Sequence, residues 1–304
     1  MTYLLTNASA LTALQSLTMT QNSLAQTQSQ LSTGLAIQHA SDNTSYWSIS
    51  QTMSSDNGAL GAVSSALKES SSMLSTFTSA LEQSISVVNN IKNDLVAAQN
   101  PGANLTQIQT DIAAQQASLT QIVNATTFNG QNWLQGDSGA STGSLANGGT
   151  QTLVGGYTNA GGVTTISVNT TKTTLIDSAG AAGTGILSTN GANYTTGSVL
   201  TLDVSGAGLT DTDFANMLKD VNAALGSMET AGAALGSATN QVSTQQTYIS
   251  SMQSSLSNGV ASLVDADMNQ VSTRLQALQT QQQLGVQSLS IANQSSQMIL
   301  KLFQ

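Results

Sequence analysis

Few side chains in this sequence have the types and spacing that chemistry requires. His39 is the only histidine, and Asp42 follows it three residues later. A histidine beside a carboxylate could act as a general base, but no nucleophile or acid accompanies the pair. We therefore interpret His39 as a solvated residue in a polar link.

Asp265 and Asp267 form a second candidate, since two carboxylates could bind a hard cation. Such cations take about six or more oxygen ligands, and no further carboxylate cluster follows in the sequence. Aspartate is also favoured immediately before a helix. We interpret the pair as a helix break with capping aspartates, and we predict no metal site.

Covalent and redox chemistry have even less support. The chain has no cysteine, which removes thiolate nucleophiles, thiolate metal ligands and disulfides together. A zinc-protease motif of the His-Glu-x-x-His type needs two histidines. The sequence therefore predicts a protein that is not an enzyme and needs no cofactor.

Long helical patterns must carry whatever function the chain has. Apolar residues recur at steps of three, four or seven, as expected for helices that bury one face. Gly34, Pro101 and the Asp265-Ala266-Asp267 break mark the ends of successive patterns. Helices are predicted over 1–35, from Thr44 to Asn100, from Leu105 to Asn129, over 211–263 and from the break to the C-terminus.

The interval 138–205 differs in kind, because glycine pairs such as Gly155-Gly156 punctuate runs of β-branched residues. The runs at 163–168, 173–176 and 199–204 predict short strands joined by tight turns. Large apolar side chains are scarce there. We expect a small β cap that buries little core.

Together these elements predict a mainly α fold: a long antiparallel helical bundle or coiled-coil rod with a small β-rich insertion at its tip. The helices lie nearly symmetrically about the insertion in the sequence, so the domains are expected to be discontinuous. We predict a terminal-helix domain with its linker (1–43 plus 265–304), a helical core domain (44–137 plus 206–264) and a variable β-rich surface insertion (138–205).

Composition limits the possible partners. Charged residues make up 7% of the chain, against about a quarter in ordinary soluble domains, and the net charge of −9 argues against nucleic acid. No run of about 18 apolar residues is present, so no membrane span is predicted. The N-terminus lacks the usual secretory signal, which predicts either a cytosolic protein or export without a cleaved signal.

Both ends of the chain carry an apolar stripe on a nearly charge-free helix. Such a stripe must be buried, either against the other end or against other copies of the protein. Val271 and Val286 are placed on the C-terminal stripe. The residues assigned to these self-assembly seams are Leu4, Leu11, Leu17, Leu24, Leu31, Leu275, Leu278, Leu289, Ile299 and Leu302.

Several stretches resemble bacterial flagellins, and residues 45–50 are closest to those of α-proteobacterial type. Leu31-Ser32-Thr33-Gly34 and Ala40-Ser41-Asp42-Asn43 are similar to the family's N-terminal pattern, and Phe128-Asn129-Gly130 to one of its turns. Residues 264–268 and 291–302 resemble the closing helix. The resemblance covers both flanks, about 1–137 and 206–304.

The resemblance implies a subunit that is exported by the flagellar type III apparatus and polymerises into the filament that propels the cell. The terminal helices are then expected to form an inner tube and the inner helices the next shell, with the insertion facing solvent. Implied partners are further copies of the chain, other flagellins, an export chaperone, and the cap and hook-associated proteins. The implied location is the extracellular flagellum.

Two alternatives remain among structural proteins. A hook-filament junction protein has similar terminal helices, although the short insertion favours the filament subunit. A secreted coiled-coil adhesin is a weaker alternative. A secreted hydrolase on a helical stalk lacks any catalytic set of residues.

The chain departs from the family at one position of interest. Enteric-type flagellins carry a Gln-Arg-Val-Arg-Glu-Leu pattern that the vertebrate innate receptor reads. This chain has residues 89–94 in its place, with Asn90 replacing an arginine. We expect weak or absent activation of that receptor.

Overall fold

The computed structural model describes residues 7–136, 149–158, 162–177, 185–195, 197–206 and 208–302. Beyond residue 294 only the backbone is described. Five long helices make up most of the described residues, which confirms the mainly α fold class. Among the described residues, no helix is long and apolar enough to cross a membrane.

The helices begin and end close to the positions that the sequence predicts. Asn7 and Asn104 cap two of them with their side-chain oxygens, and Thr210 and Asp213 form a reciprocal cap at the start of a third. The predicted start of the first helix lies outside the described residues. The helices are α1 (Ala8–Thr33), α2 (Thr44–Ala98), α3 (Leu105–Ala125), α4 (Asp211–Val264) and α5 (Met268–Leu302).

Contacts divide the chain into two compact units, each discontinuous in sequence. The terminal unit comprises Met1–Gly58 and Ser254–Gln304, and the central unit comprises Ala59–Gln253. The division falls inside α2 and α4, whereas the predicted domain boundaries lie at the ends of helices. The three-part division of the chain therefore stays a prediction.

The apolar stripes of α2, α3 and α4 form the core of the central unit. Gln115 of α3 donates to Asp94 of α2 at 2.7 Å, and Asn129, beyond the end of α3, donates to Glu69 at 3.5 Å. These contacts confirm that α3 folds back antiparallel on α2. Each large side chain that is fully buried contributes about 1.5–3 kcal/mol. Fully buried members include Leu67, Leu74, Phe77, Ile91, Leu95, Ile112, Leu119, Val221, Met228 and Leu235.

A tight turn after α3 brings Trp133 into this core. Phe128 and Gln131 exchange two backbone hydrogen bonds of 2.9 Å around Asn129-Gly130. The Trp133 side chain is 1% exposed, and its ring stacks on Phe77 with centroids 5.1 Å apart. The indole N–H donates to the Gln131 side chain at 3.1 Å, so the buried ring leaves no unpaired donor.

Four short strands are described: β1 (Gln135–Gly136), β2 (Thr150–Thr158), β3 (Gly162–Asn169) and β4 (Ile176–Asp177). β2 and β3 form an antiparallel hairpin that pairs Leu153 with Ile166, and β1 pairs with β4 in parallel. The predicted strand at 163–168 is thus confirmed. Gly155-Gly156 lies inside β2, where the register shifts between Val154 and Gly156, because a bulge accommodates the pair within a strand.

Two other strand predictions are wrong. Residues 199–201 form a 3₁₀ turn, and of 173–176 only Ile176 belongs to a strand. The 199–204 segment lies along α3 instead, where the Gln116 side chain donates to the carbonyls of Val199 and Leu202 at 3.0 Å each. Side-chain amides take the place of a partner strand.

The expectation that the insertion buries little core is also wrong. Leu175, Leu187 and Val204 are completely buried, and Val199 and Leu202 are at most 5% exposed. These side chains add to the core of the central unit. Scarcity of large apolar residues did not prevent burial, because most of those in the described part of this interval are buried.

Candidate assembly surface of the terminal helices

The segments that follow α1 and α4 bring α1 and α5 together. α1 ends at Gly34, whose backbone is left-handed with a φ of 76°. Leu35 and Asp265 then form an antiparallel bridge, and the Ala266 N–H donates to the Gly34 carbonyl at 2.8 Å. This connection holds the C-terminal end of α1 beside the N-terminal end of α5.

The residues singled out for chemistry have structural roles here. Asp267 caps α5, accepting from the N–H of Asn269 at 3.0 Å. Asp42 accepts from the backbone N–H groups of Gln38 and His39 at 3.0 Å each. These hydrogen bonds, that from Gln38 first, lower the pKa of the exposed Asp42 carboxyl, which therefore stays ionised to lower pH. The described residues contain no group of three or more potential metal-ligating side chains.

α1 and α5 pack against each other along an internal seam. Its half-buried and buried positions follow steps of three and four, the spacing of a two-stranded coiled coil. The Asn7 side chain donates to the Ala292 carbonyl at 2.9 Å, while Gly34 meets Ala266 at the other end, so the helices are antiparallel. The seam positions are Ala10, Ala13, Leu17, Thr20, Leu24, Thr27 and Leu31 on α1, and Val271, Leu275, Leu278, Gln282, Gly285, Leu289 and Ala292 on α5.

The internal seam is poor in large apolar side chains. Thr27 is 2% exposed and donates its hydroxyl to the Ser23 carbonyl of its own helix at 2.8 Å. The Leu17 side chain packs closely on Gly285, since a Cβ at position 285 would lie only 3.2 Å from Leu17 Cδ1. Alanine, threonine and glycine bury less apolar area than leucine, so the seam stabilises the helix pair weakly for its length.

Only some of the predicted self-assembly residues lie on the internal seam. Leu11 lies off the internal seam and is 64% exposed. Leu4 lies outside the described residues, and Ile299 and Leu302 lie where only the α5 backbone is described. The remaining six are on the internal seam: Leu17, Leu24, Leu31, Leu275, Leu278 and Leu289.

Large apolar side chains remain exposed on both helices. Val286 is one of them, so its placement on the same stripe as Val271 is wrong. Alternating steps of four and three from Leu278 lead to Gln282, Gly285 and Leu289. Gly285, and not Val286, therefore lies on the internal seam. Leu284 was missed entirely. The exposed set is Leu11 (64%), Leu14 (53%), Met19 (57%), Met268 (44%), Leu284 (58%), Val286 (54%) and Ile291 (66%).

The terminal helices are also almost uncharged. α1 contains no charged residue, and among the described side chains of α5 only Arg274 is charged. Apolar side chains scattered singly on a surface are normal, whereas a larger apolar patch marks an interaction site. The terminal pair therefore offers a surface suited to another neutral, apolar surface.

A shallow groove follows one side of the helix pair. All of its lining side chains are uncharged, and all are small except Leu17, Gln281 and Leu284. Its lining residues are Ser9, Thr12, Ala13, Ser16, Leu17, Thr20, Gln281, Leu284, Gly285 and Ser288.

Comparison with known proteins identifies the family. The chain is 39% identical over 310 residues to a flagellin of Brucella melitensis biotype 1, and the whole of both chains is covered. It belongs to the bacterial flagellins. Residues 4–138 of this flagellin match the family described as bacterial flagellin N-terminal helical region, and residues 218–303 match the bacterial flagellin C-terminal helical region.

Other relatives of this flagellin come from Rhizobium meliloti strain 1021. Its flagellin C is 35% identical over 326 residues and its flagellin A 34% identical over 402 residues, with all of each chain covered. The α-proteobacterial resemblance is thus confirmed. As a flagellin, the chain is a structural subunit of the bacterial flagellar filament, and no comparison favours the hook-junction alternative.

Proposed function

We propose that the terminal helix pair is where neighbouring copies of this flagellin contact each other in the filament. The observation that carries the proposal is the set of large apolar side chains that the internal seam leaves exposed on two nearly uncharged helices. Leu11 and Leu14 lie one helical turn apart and form one patch on α1. Burial by a neighbouring copy would contribute about 1.5–3 kcal/mol for each such side chain.

Lysine at both positions of this patch, Leu11→Lys with Leu14→Lys, is expected to raise the critical concentration for elongation at least about tenfold, because two buried unpaired charges cost more than about 1.4 kcal/mol. Purified protein is added to filament fragments, and the added length is measured by electron microscopy. Lysine is a good helix former, so circular dichroism should show an unchanged monomer. Elongation at the wild-type concentration would contradict the proposal.

Val163→Lys is the matched control. Val163 is 56% exposed on β3 and lies in the part of the chain, 138–205, that we propose faces solvent in the filament. The same change of an exposed apolar residue to lysine should therefore leave elongation unaffected.

We propose that 1–43 plus 265–304 form the inner tube of the filament and that 44–137 plus 206–264 surround it. A block of elongation by Val163→Lys would count against this arrangement.

We also propose that this flagellin is secreted through the flagellar type III apparatus, with an export chaperone and the cap and hook-associated proteins as partners. Membership of the flagellin family supports this route. The role is structural and involves no catalysis. The test measures the amount of this flagellin in the culture medium of cells that have the apparatus and of cells that lack it. Equal amounts would exclude the proposed route.

The innate-receptor position also lies on an accessible surface. Asn90 is exposed on α2, between the buried side chains of Val88 and Ile91. A neutral amide cannot replace the charge and the forked donors of an arginine, so we propose weak receptor activation. In a cell reporter assay the purified monomer should give a low response and the Asn90→Arg variant a higher one. A full-strength response to the wild-type monomer would overturn this.

A further inference from the structure

We propose that Asn129 is a site of spontaneous covalent modification, at which the backbone nitrogen of Gly130 converts the side-chain amide to a carboxylate. The site lies in the central unit, and the inference does not rest on the proposed assembly surface. Asn-Gly occurs five times in this chain, so one dipeptide can be compared in several surroundings. The pairs are 57–58, 129–130, 147–148, 190–191 and 258–259, of which 147–148 lies outside the described residues.

The reaction uses only this dipeptide and water. The Gly130 nitrogen attacks the side-chain carbonyl carbon of Asn129, an intramolecular step. A succinimide ring forms while the side-chain nitrogen leaves as ammonia, which carries away the proton of the Gly130 N–H. Water then opens the ring at one of its carbonyl carbons. Opening at the side-chain carbon gives aspartate, and opening at the main-chain carbon gives isoaspartate, in which the chain continues through the side chain.

The Gly130 nitrogen is available for this attack. Asn129 and Gly130 are the central residues of a tight turn and have φ angles of 50° and 76°, as Asn-Gly hairpin turns require. The two hydrogen bonds of the turn are made by Phe128 and Gln131, and no described residue accepts from the Gly130 N–H. The nitrogen can therefore turn toward the side chain without breaking a hydrogen bond within the protein.

The turn also leaves room for the ring. Asn129 and Gly130 are both exposed, and a Cβ added at Gly130 would meet no atom within 4 Å. The Asn129 amide donates to the Glu69 side chain at 3.5 Å, which is longer than a usual hydrogen bond. The side chain can therefore leave this contact at low cost.

The other described Asn-Gly pairs are protected. The Gly191 N–H donates to the Gly197 carbonyl at 3.1 Å, and a Cβ at Gly191 would collide with the Asp220 carboxylate. The pairs 57–58 and 258–259 lie inside α2 and α4, where each backbone N–H donates to the carbonyl four residues earlier. Reaction at these pairs requires local opening of the loop or of the helix.

The two products affect the central unit differently. Aspartate keeps the path of the chain and places a carboxylate beside Glu69, a weak repulsion at an exposed position. Isoaspartate lengthens the main chain of the turn by one atom, so the bonds between Phe128 and Gln131 cannot both keep their geometry. Gln131 also accepts from the indole of the buried Trp133. Isoaspartate should therefore weaken the contact of this turn with the core.

Peptide mapping by mass spectrometry measures the reaction at each pair after the full-length monomer is kept at mildly alkaline pH. Asn129 should react at least about tenfold faster than the asparagines of the three protected pairs, because reaction there first breaks a hydrogen bond. The matched control is the same chain unfolded in guanidinium chloride. The four pairs should then react at similar rates, since they share the dipeptide and no longer differ in surroundings.

Contrary results are equally specific. Equal rates at the four pairs in the folded chain, or a faster reaction at Asn190, would overturn the inference, because the fold would not select Asn129. Folding that slows Asn129 as much as Asn258 would mean that the turn protects the pair. The Asn129→Asp variant separates the two products. The isoaspartyl fraction of aged protein should unfold at a lower urea midpoint than this variant, and equal midpoints would overturn the effect assigned to isoaspartate.

Discussion

A chain that lacks α5 is expected to stay soluble and to keep the fold of its central unit, but not to elongate filaments. Removal of Met268–Leu302 takes away one side of the internal seam together with Leu284 and Ile291. α1 then has no intramolecular partner, and most of the stability of a helix in a protein comes from tertiary packing of its apolar face. Seeded elongation followed by electron microscopy should show no added length at any concentration that supports the wild type.

Removal of residues 1–33 provides the reciprocal variant and should give the same result, because the surface requires both helices. Circular dichroism should show loss of the terminal helices while helical signal from the central unit persists. Fluorescence of Trp133, which is buried in the central unit, should report an unchanged environment once Trp47 is replaced in both proteins. Filament growth by either truncated chain would refute the assignment of assembly to the terminal pair.

Trp133→Ala is expected to destabilise the central unit by about 3–5 kcal/mol, the usual cost of removing a buried aromatic side chain. The change deletes the buried ring that stacks on Phe77 and leaves a cavity in its place. The stack itself accounts for about 0.5–1.5 kcal/mol of this. Urea unfolding followed by circular dichroism at a helical wavelength measures the shift of the midpoint.

Two variants control this measurement. Trp133→Phe keeps an aromatic ring and should lose less than the alanine variant. Trp47→Ala removes the other tryptophan, which is only half-buried in the terminal unit. This variant should not change the urea midpoint at which the central unit unfolds. A Trp133→Ala midpoint equal to that of the wild type would show that the turn after α3 does not contribute to the core.

The helices could be predicted from the sequence because periodicity and helix-ending residues are local. Gly34 and Asp267 each specify a helix boundary through their own backbone or side chain. The segment 199–204 could not be assigned correctly, since its alternation of apolar residues matches a strand. Its actual conformation depends on Gln109 and Gln116, which are distant in sequence and bond to its backbone.

The packing of the two terminal helices could be predicted only in part. Apolar periodicity located both terminal stripes, but an apolar count overlooks seam positions occupied by Thr27 and Gln282. It also cannot separate two sets that share one heptad repeat on one helix, which is why Val286 was placed with Val271. Which face of α5 packs on α1 depends on how the two helices are aligned. The close approach of Leu17 to Gly285 shows that alignment, and it can be seen only in the three-dimensional structure.

The contact between Asn7 and Ala292 joins residues 285 positions apart, so the first and last helices close the largest loop in the described chain. Contacts between residues that are far apart in sequence carry a larger loop-closure entropy cost and slow folding. A nascent or partly delivered polypeptide holds α1 without α5 and cannot close this loop. Pairing of the two terminal helices is therefore possible only after α5 has been synthesised.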